Sequence, residues 1–151
     1  MTVAIIDSGI DIHHPSLEGV PFLGGVSFCQ RGGEVEVGDD YDDQIGHGTA
    51  VASIVAQKSS VRILSVKVFH SDMECTEDVL IAALSYLEGR GDCDIVNVSA
   101  GLTGLQRRDD MESICDNLAA MSCYIVAAFN NTGVISYPPG LFVLGLKSWL
   151  N

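Results

Sequence analysis

"VAIIDSG", residues 3–9, is an apolar, β-branched run that stops at an aspartate, a serine and a glycine. Val-Ala-Ile-Ile shows no alternation with polar residues, which marks a strand buried on both faces. Asp-Ser-Gly marks the turn that ends it. Such a strand needs cover above and below, and helices packed on both sides of a parallel sheet supply it.

The remaining sequence extends this pattern. "GVSF" (25–28) reads as a short strand, and the polar, glycine-rich, acidic residues 30–46 read as a loop. Small and apolar residues from Gly48 to Gln57 fit a helix, and "VRILSVKVF" (61–69) fits a strand. "TEDVLIAALSYLEGR" (76–90) reads as a helix, with Thr76 at the cap position, Glu77 and Asp78 in the first turn and Gly89 near the end. "CDIVNVSAG" (93–101) is a strand, "DDMESICDNLAAMS" (109–122) a helix, and "CYIVAAF" (123–129) and "LFVLGL" (141–146) are strands. Strands alternating with helices predict one α/β domain over residues 1–151: a doubly wound, mostly parallel sheet with helices on both faces.

Composition narrows the function classes. The 151 residues carry a net charge of −12 with only eight Lys and Arg, too few for a phosphate-backbone footprint, so no nucleic-acid partner is expected. No apolar run reaches the ~18 residues of a membrane span, and "MTVAIIDSG" has no basic region of a secretory signal, so no membrane partner is expected. Cys29, Cys75, Cys93, Cys115 and Cys123 match no zinc or Cys-x-x-Cys spacing, and an odd set of thiols suits a cytoplasmic chain. A Rossmann-like reading of "DSGID" fails, because no Gly-x-Gly-x-x-Gly or P-loop follows.

In a doubly wound sheet, chemistry collects beyond the carboxyl ends of the strands. Asp7, Ser99 and Asn130 occupy such ends, and His47 in "GHGT" stands at a helix start nearby. Each admits two readings. Asp7 is a turn aspartate bonded to its own backbone, or a carboxylate that orients a histidine. His47 is a helix-start residue beside a Thr49 cap, or a general base titrating near neutral pH. Asn130 is a turn residue of "NNTG", or a side-chain donor to a developing oxyanion. Read alone, the acidic "GDDYDDQIGHG" is a solvated loop. Otherwise Asp42 and Asp43 favour basic residues in a bound peptide, or Asp39, Asp40, Asp42 and Asp43 hold calcium through oxygen ligands.

Together, "VAIIDSGIDIHHPSL", "GHGTAVASIVA", "VKVF", "DIVNVSAG" and "IVAAFNNTGVISYPP" stand in the order and at about the separations of the subtilisin-like serine peptidases. The chain resembles that family over nearly its whole length, and the chain order Asp then His is the subtilisin order. The resemblance implies that Asp7 is the triad aspartate, His47 the triad base and Asn130 the oxyanion-hole side chain. It implies that Ser99, Ala100 and Gly101 line the strand that pairs with an extended peptide or protein substrate.

The sequence also departs from the family pattern. Phe129 stands where the family carries a glycine before the oxyanion asparagine, and Ala50 and Ser53 stand where histidine and glycine are usual. No Gly-Thr-Ser-x-Ala segment, which bears the family's nucleophile, occurs in the 151 residues. The expectation is therefore an amino-terminal half of the domain, inactive by itself. A second chain would supply the serine, or a copy of the same chain would cover the apolar sheet edge left by "GLFVLGLKSWL". The other expectation is a degenerate domain that binds peptides by strand addition, in peptide maturation or regulation.

Overall fold

A computed structural model describes residues 1–58, 60–102, 104–128 and 144–146. Among these residues, β1 (Thr2–Asp7), β2 (Phe22–Arg31), β3 (Glu34–Gly38), β4 (Arg62–Lys67), β5 (Ile95–Val98), β6 (Tyr124–Ala128) and β7 (Leu144–Leu146) form one sheet. Its order is β3-β2-β4-β1-β5-β6-β7. The helices are α1 (His47–Lys58), α2 (Glu77–Arg90) and α3 (Arg108–Ala120).

All six residues of β1 are buried, and β1 pairs in parallel with both β4 and β5. Successive side chains of a strand point to opposite faces, so its apolar run serves two cores. Val3 and Ile5 pack with Ile63 of β4 and with Val51, Ala52 and Val55 of α1. Ala4 and Ile6 pack with Leu64 and Val66 of β4 and with the buried faces of α2 and α3. The doubly wound α/β sheet is thus confirmed, with α1 on one face and α2 and α3 on the other.

Local chemistry explains the element ends. Thr76 caps α2 by accepting a hydrogen bond from the Val79 amide, and Gly91 closes it in the left-handed region at φ +66°. Glu77 and Asp78 in the first turn and Arg90 in the last suit the helix dipole.

Residues 30–46 are not a single loop. β2 runs on to Arg31 and turns through Gly32 and Gly33 into β3, the one antiparallel strand among the described residues. The pair Arg31–Glu34 closes a two-residue hairpin, and the glycines adopt φ +58° and +89°. Positive φ at both central positions is what a type I′ turn requires, and only glycine adopts it without strain. The predicted strand over 123–129 begins at Tyr124 and is described as far as Ala128, and that over 93–101 shortens to 95–98. None of the described helices is long and apolar enough to cross a membrane.

Candidate active site

β1, β4 and β5 are parallel and adjacent, so their carboxyl ends share one edge of the sheet. Asp7 is the last residue of β1 and is paired in register with Lys67, the last of β4. By the period of two, Asp7 shares the face of Val3 and Ile5, the face on which α1 lies. His47 is the first residue of α1. Strand alternation and helix placement together bring the two side chains to one point.

The contact is short. His47 Nδ1 lies 2.8 Å from Asp7 Oδ1 and 2.9 Å from Oδ2, across 40 residues of sequence. The Ser8 amide donates to Asp7 Oδ1 at 2.7 Å. The Asp7 side chain is 1% exposed and that of His47 48% exposed. A carboxylate only accepts, so the proton between them belongs to Nδ1. That leaves Nε2 of the neutral ring as an acceptor, and no bond to it is formed among the described residues. A buried carboxylate behind a half-exposed imidazole is the arrangement that lets a histidine take a proton and keeps the resulting cation stabilised.

The helix start needs its glycine. A Cβ at Gly48 would collide with the Gly9 carbonyl oxygen and meet Asp7 Cβ at 3.2 Å. The turn after β1 therefore presses against the first turn of α1, and the glycine after His47 permits that approach.

Ser99 to Gly101 follow β5 directly, and the Ser99 amide donates to the Ile6 carbonyl at 3.1 Å. Ala100 is buried, Ser99 half-buried and Gly101 exposed. β1 lies between β4 and β5, so this segment flanks the end of β1 that carries Asp7. Asn130 and Phe129 lie outside the described residues.

In the acidic loop, Asp43 is engaged by the chain itself. Asp43 turns its carboxylate inward, onto the Thr49 amide at 2.9 Å and the Gly46 amide at 2.8 Å, so Asp43 and not Thr49 caps α1. Burial acts to raise its pKa, but hydrogen bonds from Thr49, Gly46 and Ser8 outweigh it and hold the carboxyl below the usual range. Both carboxylate oxygens of Asp43 are thus engaged by donors of this chain. Lys67 takes the neighbouring position: its side chain is 2% exposed, and Nζ donates to the Asp42 carbonyl at 2.7 Å and lies 3.8 Å from Asp40 Oδ2. Asp39, Asp40, Asp42 and Asp43 do not assemble a calcium site, and among the described residues no group of three or more His, Cys, Asp or Glu side chains is placed to hold a metal.

Ser8 and Lys67 were not among the residues singled out from sequence. A lysine inside the apolar run "RILSVKVF" was the available signal for Lys67. Nothing local distinguishes the Ser8 hydroxyl.

Known proteins similar to this chain fall in one family. The family profile of peptidase S8, the subtilase family, matches residues 1–142. Subtilisin amylosacchariticus of Bacillus subtilis subsp. amylosacchariticus is 29% identical over 141 residues, which are 87% of this chain and 34% of that protein. A subtilisin-like protease of Coccidioides posadasii is 38% identical over 72 residues, 44% of this chain and 16% of the relative. Among solved structures, the S41 psychrophilic protease superposes with a TM-score of 0.73 at 22% identity, covering 97% of this chain and 52% of that one. The subtilisin-like protease Apa1 of an Antarctic Pseudoalteromonas has a TM-score of 0.65 at 27% identity, covering 91% and 33%. The chain therefore spans a minor part of the curated relatives it matches and about half of the first structure.

Proposed function

Because the chain belongs to the subtilase family, a lineage of serine peptidases, we propose that Asp7 and His47 are two members of an Asp-His-Ser triad for peptide-bond hydrolysis. One observation carries the reading: a buried carboxylate holds Nδ1 of a half-exposed histidine, leaving Nε2 open. The serine comes from a segment outside these 151 residues. Its Oγ attacks the scissile carbonyl carbon and its proton passes to His47 Nε2. Asp7 stabilises the imidazolium, which then protonates the leaving amine. The Asn130 amide donates to the oxyanion. Ser99, Ala100 and Gly101 present backbone to an extended peptide or protein substrate.

On this reading residues 1–151 alone form no acyl-enzyme and hydrolyse no peptide. They act with a serine-bearing segment, carried on the same or on a separate polypeptide.

Phe129 favours a second reading. The family carries glycine at this position, and a phenylalanine lacks that residue's backbone freedom, a departure that a domain no longer selected for catalysis tolerates. The domain then holds extended peptides along Ser99–Gly101 as a binding module in peptide maturation or regulation.

A fluorophosphonate probe and a panel of quenched peptides separate the two. The chain alone is expected to show neither labelling nor cleavage. Added source lysate is expected to supply a labelled, co-purifying serine chain, with cleavage that disappears in Asp7→Asn and His47→Ala. Retention of specific peptides without labelling or cleavage in any mixture would instead establish the binding module.

A further inference from the structure

The His47 side chain is 48% exposed, so packing does not hold its ring. Its placement depends on the bond to Asp7 and on how firmly the start of α1 is tied to the end of β1. That tie runs through one carboxylate. Asp43 Oδ1 accepts from the Ile45 amide at 3.0 Å, the Gly46 amide at 2.8 Å and the Ser8 hydroxyl at 2.8 Å. Asp43 Oδ2 accepts from the Thr49 amide at 2.9 Å and the Thr49 hydroxyl at 2.6 Å.

Ser8 completes the connection. It is fully buried. Its hydroxyl donates to Asp43 and accepts from the Gly48 amide at 2.9 Å, while its own amide donates to Asp7 Oδ1 at 2.7 Å. A continuous path thus leads from the Asp7 carboxylate through Ser8 to Asp43 and into the first turn of α1, on both sides of His47 in sequence. Helix capping by itself would use one oxygen and the Thr49 amide. Here the other oxygen reaches a residue 35 positions away that also fixes the candidate triad aspartate.

We propose that Asp43 and Ser8 are positioning residues for the Asp7–His47 couple, locking the turn after β1 to the first turn of α1 so that the imidazole meets the carboxylate pre-set. Neither residue touches the reacting atoms. Catalytic groups need placement within a fraction of an ångström, and several charge-assisted hydrogen bonds converging on one carboxylate supply that rigidity. The inference rests on the catalytic reading of Asp7 and His47, but its test reads geometry rather than hydrolysis.

The test is proton NMR of the 151-residue chain, following the Nδ1 proton of His47, assigned by its disappearance in His47→Gln. Two variants separate a lock from a cap. Asp43→Asn keeps an acceptor for the Thr49 amide, since asparagine caps helices as well as aspartate does. It cannot accept on both sides, so the Ser8 connection breaks. Ser8→Ala removes the connection and leaves the cap. Each variant is expected to exchange the Nδ1 proton with solvent roughly tenfold faster or more, the order expected for loss of a charge-assisted hydrogen bond. Exchange as slow as in the parent, in folded Asp43→Asn and Ser8→Ala, would overturn the proposal and leave Asp43 as a helix cap. Should Ser8→Ala fail to fold, Asp43→Asn decides alone. A parent chain without a slowly exchanging Nδ1 proton would overturn the Asp7–His47 couple itself, and the lock with it.

Discussion

Asp7 and His47 are useful to each other only in opposite surroundings. The carboxylate is buried and held by the Ser8 amide, while the imidazole keeps one nitrogen in reach of a reacting group. In an enzyme completed by its serine, Asp7→Asn should lower kcat by about 10⁴-fold through the wrong histidine tautomer, with little change in KM. Steady-state kinetics on a quenched peptide checks this. Gly48 sets a steric condition on the same point: any Cβ there meets the Gly9 carbonyl, so Gly48→Ala must push α1 off the end of β1. The expected cost is about 2 kcal/mol or more, read as a lower urea midpoint at unchanged slope.

The elements form where local chemistry agrees with packing. In α2, the Thr76 hydroxyl oxygen accepts from the Val79 amide at 3.4 Å and Gly91 takes the left-handed closing position. Thr76→Ala should cost about 1 kcal/mol, seen in thermal unfolding, without moving the His47 Nδ1 proton. That strand-helix alternation was legible because β1, β4 and β6 are apolar runs and α2 carries a cap, acidic first turn and glycine stop. The hairpin of β2 and β3 is also written in the chain, as Gly32-Gly33 followed by the alternating Glu-Val-Glu-Val, but the acidic stretch around it masks the alternation. Charge suggested solvent there, and edge strands do carry charge.

At the scale of the whole molecule, two sets of titrating groups bound stability from opposite sides. The Asp43 carboxyl sits below its ordinary 3.8, so the stability it contributes is present above that value and is lost as pH falls through its lower, folded-state value. Burial pushes the thiols of Cys75, Cys93 and Cys115 up from 9.0 to about 11. Groups raised on folding stabilise at low pH, so this contribution is complete below pH 9 and fades between pH 9 and about 11. Chemical denaturation across pH should show both limbs, and Asp43→Asn should make the acid one shallower while leaving the alkaline one unchanged. By itself the sequence determined the parallel α/β sheet, because unbroken apolar runs can be covered only from both faces, and it marked Asp7 and His47 as candidates through their residue types and order. Only the tertiary structure decided that the two meet, and that Asp43 binds the start of α1 and the Ser8 hydroxyl. The physical reason is that hydrophobic periodicity acts over a few residues and is read locally, whereas a hydrogen bond spanning 40 residues exists only once strand register and helix docking have brought its partners together.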